Sequence, residues 1–111
     1  MRTISLAKEF STTPGGRFRI MGPDSGEAFR AKLIQELRRR PPEVIEVVLD
    51  GAEGYGSSFL EEAFGGLIRL GLITPSEAEE RLKVVARSPA YETYAREAIR
   101  YMNEAAARLR G

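Results

Sequence analysis

The sequence contains no cysteine and no histidine, and the two absences remove most of the common catalytic chemistry. Without cysteine there is no disulfide, no thiol nucleophile and no zinc–thiolate site. Without histidine there is no Ser–His triad, and the commonest general base and metal ligand is missing. Aspartate is nearly absent as well, occurring only at Asp24 and Asp50, so a multi-carboxylate metal centre would depend on glutamate. These gaps point away from an enzyme and from any resident metal or cofactor. No stretch approaches the ~20 consecutive apolar residues of a membrane helix, and Met1–Phe10 lacks a signal-peptide core. No membrane association is expected, and a cytoplasmic location follows by default. Lysine occurs only at Lys8, Lys32 and Lys83, all other cations being arginine. That bias carries no mechanism.

What is present is an ordinary globular composition, 42% hydrophobic and 30% charged over 111 residues. It fits one domain over residues 1–111. The 17 basic and 16 acidic residues nearly cancel, whereas nucleic-acid binders are usually far more basic. Nucleic acid is therefore not the expected partner. The run Arg38-Arg39-Arg40 reads as cations at a helix C-terminus; a nucleic-acid patch is the sharper alternative, without aromatic neighbours to support it.

Along the chain, Ile4 and Leu6 alternate with Thr3 and Ser5 as a short strand does, although Leu6–Phe10 reads equally as one helical turn. After the turn formers Ser11–Gly16, the alternation of Arg17, Phe18, Arg19 and Ile20 predicts a second strand, antiparallel to the first. Asp24 and Glu27 have capping-box spacing and predict a helix start. Phe29, Leu33, Ile34 and Leu37 share one face of that helix, and Pro41-Pro42 forbids its continuation. Val44–Leu49 is β-branched and almost continuously apolar, the pattern of a central strand covered on both faces. A helix from about Ser58 to Leu70 follows, with Gly71 as its C′ residue. Thr74-Pro75-Ser76-Glu77 starts a short helix, and Leu82–Ala86 reads as another strand. Ser88-Pro89 opens a last helix to about Leu109, with Tyr91, Ala95, Ala98, Met102, Ala105 and Leu109 inward. Glu92 with Arg96, and Glu104 with Arg108, are its expected i,i+4 pairs. The resulting class is α/β, a small domain with about four strands in a mixed sheet and three main helices packed against it.

The stretch Val44–Gly71 carries the chemistry. A strand runs through Asp50, Gly51, Gly54, Tyr55 and Gly56 into Ser57, Ser58 and a helix, placing backbone N–H groups and two hydroxyls at one spot. No Lys-Ser/Thr follows the glycines, and the dinucleotide spacing is absent. A small-anion or nucleotide site at the Gly51–Ser58 turn therefore stands as an alternative without a motif. Ser58 and Glu61 have capping-box spacing, so Ser58 reads as a helix cap. It also reads as a phosphoacceptor, because a helix N-terminus tolerates added negative charge. Gly65 and Gly66 interrupt the helix at roughly 0.8–1 kcal/mol each. Close packing explains them, or a flat face through which a second copy associates.

Three segments carry a family resemblance: Phe10–Arg17 (F-S-x-x-P-G-G-R), Gly22–Arg30 (G-P-x-S-G-E-x-F-R) and Gly54–Leu67 (G-Y-G-S-S-F-L-E-E-A-F-G-G-L). Together they resemble a bacterial family of small STAS-like domains, long carried as a domain of unknown function. The resemblance implies a likeness to STAS domains, the fold of anti-sigma-factor antagonists. In those proteins a serine at a helix start, within D-S-S-G-L, is phosphorylated by a histidine-kinase-like ATPase. It thus implies a non-enzymatic regulatory domain whose partner is such an ATPase or an anti-sigma-type protein. Ser58 is the better-aligned acceptor and Ser57 the second. Gly56 replaces the aspartate before the serines, and Phe59 the glycine after them. The Pro-Gly-Gly-Arg and Ser-Gly-Glu segments are not shared with the antagonists, so Arg17, Ser25 and Arg30 form a possible second site; their plainer roles are turn solvation, helix capping and a surface ion pair.

Overall fold

Ile45–Val48 forms the middle strand of a three-stranded sheet in the computed structural model, which describes residues 1–110. Strand β1 is Arg2–Ser5, β2 is Ile45–Val48 and β3 is Leu82–Val85, and both pairings are parallel. Register places Ile4 beside Val47 and Val47 beside Val84, all of them buried. The alternate row, Thr3–Glu46–Lys83, turns away from this core. The double-sided cover expected for β2 is therefore not found along that row: Glu46 receives a hydrogen bond from Thr3 (3.2 Å) and an ion pair from Arg87 (3.3 Å).

The helices are α1 (Leu6–Glu9), α2 (Gly26–Leu37), α3 (57–69), α4 (Pro75–Arg81) and α5 (Glu92–Arg110). Leu6 thus opens a helical turn, with Ser5 as its cap, rather than extending β1. Right-handed crossovers in the order β1-β2-β3 lay α2 and α3 on one face of the sheet. There Phe29, Phe59 and Phe64 are buried, and the Phe29 ring lies 5.9 Å from Phe64 and 6.3 Å from Phe59. The small residues Ala95, Ala98 and Ala105 form the buried stripe of α5 together with Met102.

The expected second strand at Arg17–Ile20 does not form, so the sheet has three parallel strands instead of about four mixed ones. Gly16, at φ 83°, turns the backbone away, and Arg19–Met21 is a 3-10 turn. Backbone bonds from Gly15 to Asp24 (2.9 Å), Gly26 to Gly16 (2.9 Å) and Glu27 to Arg17 (3.0 Å) use the groups a sheet would have needed. Phe18 and Met21 project as an exposed tongue, with Ile20 at its tip 95% exposed.

Ser25, not Asp24, caps α2, accepting from the Ala28 N–H at 3.2 Å, while the Glu27 carboxylate accepts from the Arg19 N–H at 2.8 Å. The capping box at Thr74 and Glu77 forms as its spacing predicts (3.1 and 3.0 Å). Gly71, at φ 69°, closes α3, with Leu72 N–H on the Leu67 carbonyl and Gly71 N–H on that of Ile68, the paired bonds of a Schellman end. In α5, Leu109 is exposed and Arg100 pairs with Glu104 (2.8 Å), in place of the two pairs expected from Arg96 and Arg108.

Candidate functional site

At the end of β2 the chain enters a turn held from several sides. The Asp50 carboxylate accepts from the Arg87 N–H (2.8 Å), the Ser88 N–H (2.9 Å) and the Ser88 hydroxyl (2.6 Å). Burial alone would push the Asp50 carboxyl up, but these bonds outweigh it and hold it below its ordinary value. Gly51 turns at φ 99°, a conformation that other residues rarely adopt. The Tyr55 hydroxyl donates to the Leu49 carbonyl at 2.6 Å, and that of Tyr91 to Ala52. Burial, with Tyr91 and Asp50 nearby, pushes the Tyr55 phenol well up, so it remains a donor. Tyr55 and Asp50 are thus the turn's internal fasteners, and Gly54 lies against the Tyr94 hydroxyl.

Gly56 is the N-cap of α3, and Ser57 and Ser58 are its first two residues, both exposed. The expected capping box between Ser58 and Glu61 is absent, because Ser58 already lies inside the helix and the cap makes no side-chain bond. Glu61 is instead engaged by Arg17 and, at 3.2 Å, by Arg69. Among the described residues neither serine hydroxyl has a hydrogen-bond partner.

One turn further, α3 widens. After the α-helical turn Ser57–Leu60, residues Glu61–Gly65 are π-helical, and Gly66–Arg69 returns to α. Single π turns inside α-helices recur at functional positions. Here the wide turn carries Glu62, only 3% exposed. Its carboxylate meets three guanidiniums: Arg30, Arg17 (3.0 Å) and Arg69 (2.9 Å). Arg30 also donates to the Glu62 carbonyl at 3.0 Å. Burial pushes the Glu62 carboxyl up, yet the bonds from Arg30, Arg17 and Arg69 prevail and hold it below the ordinary carboxylate range. An ionised carboxylate saturated by three cations does not accept a proton from a substrate. It fastens the tongue, α2 and the end of α3 to one point.

Three glycines make that convergence possible. A Cβ on Gly26 would lie 2.6 Å from the Phe59 carbonyl oxygen, so α2 approaches α3 as only glycine permits. A Cβ on Gly66 would lie 2.8 Å from Arg30, and one on Gly65 3.3 Å from the Tyr101 Cβ. Both helix glycines are buried against residues of this chain, the close packing that is one of the two readings of the pair. Of the possible second site, Arg17 and Arg30 meet at Glu62, while the buried Ser25 is spent on capping α2. Glu61, Glu62 and Arg69 were missed by sequence reasoning. Their signal was two adjacent carboxylates inside an otherwise apolar helix, since a buried charge requires partners. No group of three His, Cys, Asp or Glu suited to a metal occurs among the described residues.

No curated protein and no solved structure matches the chain. A family model described as a STAS-like domain of unknown function (DUF4325) matches residues 25–92, from the cap of α2 to the first residue of α5. That span includes the glycine turn, both serines, Arg30 and the whole π-helical segment; Arg17 lies just upstream of it. Because the match covers more than half of its residues, the chain belongs to the family of STAS-like domains of unknown function.

Proposed function

We propose that the chain is a non-enzymatic regulatory domain of the anti-sigma-factor-antagonist type, acting in the cytoplasm. Its docking surface is the start of α3, and a phosphate on Ser58, or secondarily Ser57, switches it. The observation that carries this reading is the state of the two serines, exposed and unbonded at the first turn of a helix anchored on both sides. No helix among the described residues is long and apolar enough to cross a membrane. The exposed tongue, rooted beside the same helix by the Arg17–Glu61 and Arg17–Glu62 pairs, supplies adjoining apolar surface.

The switch follows from spacing. Ser58 precedes Glu61 by three residues and Glu62 by four, which places it on their face of the helix. The Ser58 oxygen attacks the γ-phosphorus of ATP, ADP leaves, and the hydroxyl proton passes to a base of the histidine-kinase-like partner. The phosphate brings about −1.5 to −2 charge, repels Glu61 and competes for Arg17. Loss of Arg17 from the carboxylates frees the root of the tongue, and the docking surface changes shape and charge together.

The test is incubation with a histidine-kinase-like serine kinase and ATP, read by intact mass and peptide mapping. One phosphate is expected on the wild type and on Ser57→Ala, and none on Ser58→Ala. Absence of phosphate, together with unchanged partner binding by Ser57→Ala/Ser58→Ala, removes the reading.

A further inference from the structure

A groove of about 530 Å³ lies between β3, α4 and α5, with Ile68 of α3 also in its lining. Leu82, Lys83, Val84 and Val85 all line it. Successive residues of a strand point to opposite faces, so a groove touching all four runs along the strand's edge. β3 is an outer strand of the sheet. An outer strand leaves backbone groups unpaired along its free edge. In β3 the Leu82 N–H is taken by the Ala78 carbonyl and Val85 faces β2, so the Val84 N–H and the Leu82 and Val84 carbonyls are the groups left for a partner. The other wall, on α5, sets apolar Met102, Ala106 and the 42% exposed Ile99 beside Asn103 and Arg110.

Two requirements define the occupant. It must present backbone hydrogen-bonding groups to the strand edge, and apolar side chains to α5. An extended peptide meets both by adding a strand to the sheet. Charge selects further. Lys83 and Arg110 line the groove against one carboxylate, Glu79, and the Lys83 ammonium bonds the Glu79 backbone carbonyl (3.0 Å), not its carboxylate. A second copy of this chain fits poorly, because pairing β3 with its own twin sets two Lys83 side chains near each other, and facing like charges destabilise a strand pair.

We propose that the β3 edge binds an extended apolar peptide segment of a partner protein, carrying a carboxylate at one end of the segment. None of residues 51–58 lines the groove, so peptide binding and the phosphoswitch are tested with different variants.

The experiment selects a phage-displayed random heptapeptide library on the full chain, with counter-selection on Ala106→Arg, whose side chain fills the groove. Enriched sequences are expected to alternate apolar residues and to carry Asp or Glu at one end. Synthetic versions should bind the wild type and Ser57→Ala/Ser58→Ala alike by fluorescence anisotropy. Binding should weaken about tenfold in Lys83→Glu, where attraction for the peptide carboxylate is replaced by repulsion. Bound peptide should slow hydrogen exchange at the Val84 amide, the β3 N–H that faces the free edge. Lys83 is exposed, so Lys83→Glu keeps the test valid if Ala106→Arg does not fold. The proposal is overturned if no sequence is enriched, if selected peptides bind Lys83→Glu equally well, or if protection falls elsewhere. Concentration-dependent protection of β3 without peptide assigns the edge to a second copy and overturns it too.

Discussion

Glu62 is the residue on which the molecule's polar organisation turns. A carboxylate at 3% exposure inside an apolar helix is tolerated because three guanidiniums surround it. Removing one member of a buried ion pair strands the others, at a typical cost of roughly 3–5 kcal/mol. Glu62→Gln keeps the volume and the hydrogen-bonding oxygen but deletes the charge, leaving Glu61 alone against Arg17, Arg30 and Arg69. Destabilisation in that range is expected in urea denaturation. Arg17→Gln should cost less, since the Arg17 side chain is about one-third exposed and solvent screens what remains. Equal costs for the two variants would show that Glu62 is not the centre of the cluster. None of this partnership was legible locally. Arg17 and Arg30 lie far back along the chain, and only folding reveals that they join Arg69, of the same helix, in answering the two adjacent glutamates.

At the scale of elements, a local pattern holds where no other group competes for its atoms and fails where one does. The capping box at Thr74, the glycine end of α3 and the β-branched run of β2 are each decided by neighbours in sequence, and each stands where its pattern places it. Arg17–Ile20 has a strand's alternation, but its backbone is claimed by Asp24, Gly26 and Glu27, so the pattern ends as a tongue. Ser58 likewise has capping spacing, yet Glu61 is drawn to Arg17 and Arg69 and the helix begins one residue earlier. The Ser-Gly-Glu segment shows the same dependence. Gly26 is required by the Phe59 carbonyl, a third of the chain away in sequence. Gly26→Ala therefore forces α2 away from α3, and overpacking of this kind costs typically about 1–3 kcal/mol. Gly15→Ala, where a Cβ meets nothing within 4 Å and φ is not positive, serves as control and should change stability by less than about 0.5 kcal/mol. Matching thermal midpoints for the two variants would remove the close approach of α2 and α3 as the reason for the glycine.

Across the whole molecule, the absence of histidine becomes a statement about pH. The carboxylates that are shifted are all shifted downward: Glu36 by its bond to Arg2, Glu77 by the backbone of Thr74, and Asp50 and Glu62 by bonds that overcome their burial. A carboxyl whose folded pKa lies below its unfolded one binds fewer protons folded than unfolded. It contributes stability that is fully present above the unfolded value, about 3.9 for Asp and 4.3 for Glu, and is lost as pH falls through the folded value. No side chain has an ordinary pKa between these carboxyls and pH 8, so no side chain is expected to titrate with folding from pH 6 to 8. The urea midpoint should hold level over that interval, begin to fall near pH 4.5 and continue falling well below pH 4. Glu62→Gln should remove part of the acid-side fall while lowering the plateau, because the charge that acid neutralises is already gone. A step near pH 6 in the wild type, or an acid limb unchanged in Glu62→Gln, contradicts the assignment. Since Glu62 is buried, its part of the acid limb should persist in 1 M salt, where surface pairs such as Arg100–Glu104 are screened. Salt therefore separates the π-helical cluster from the rest of the molecule's electrostatics without a mutation.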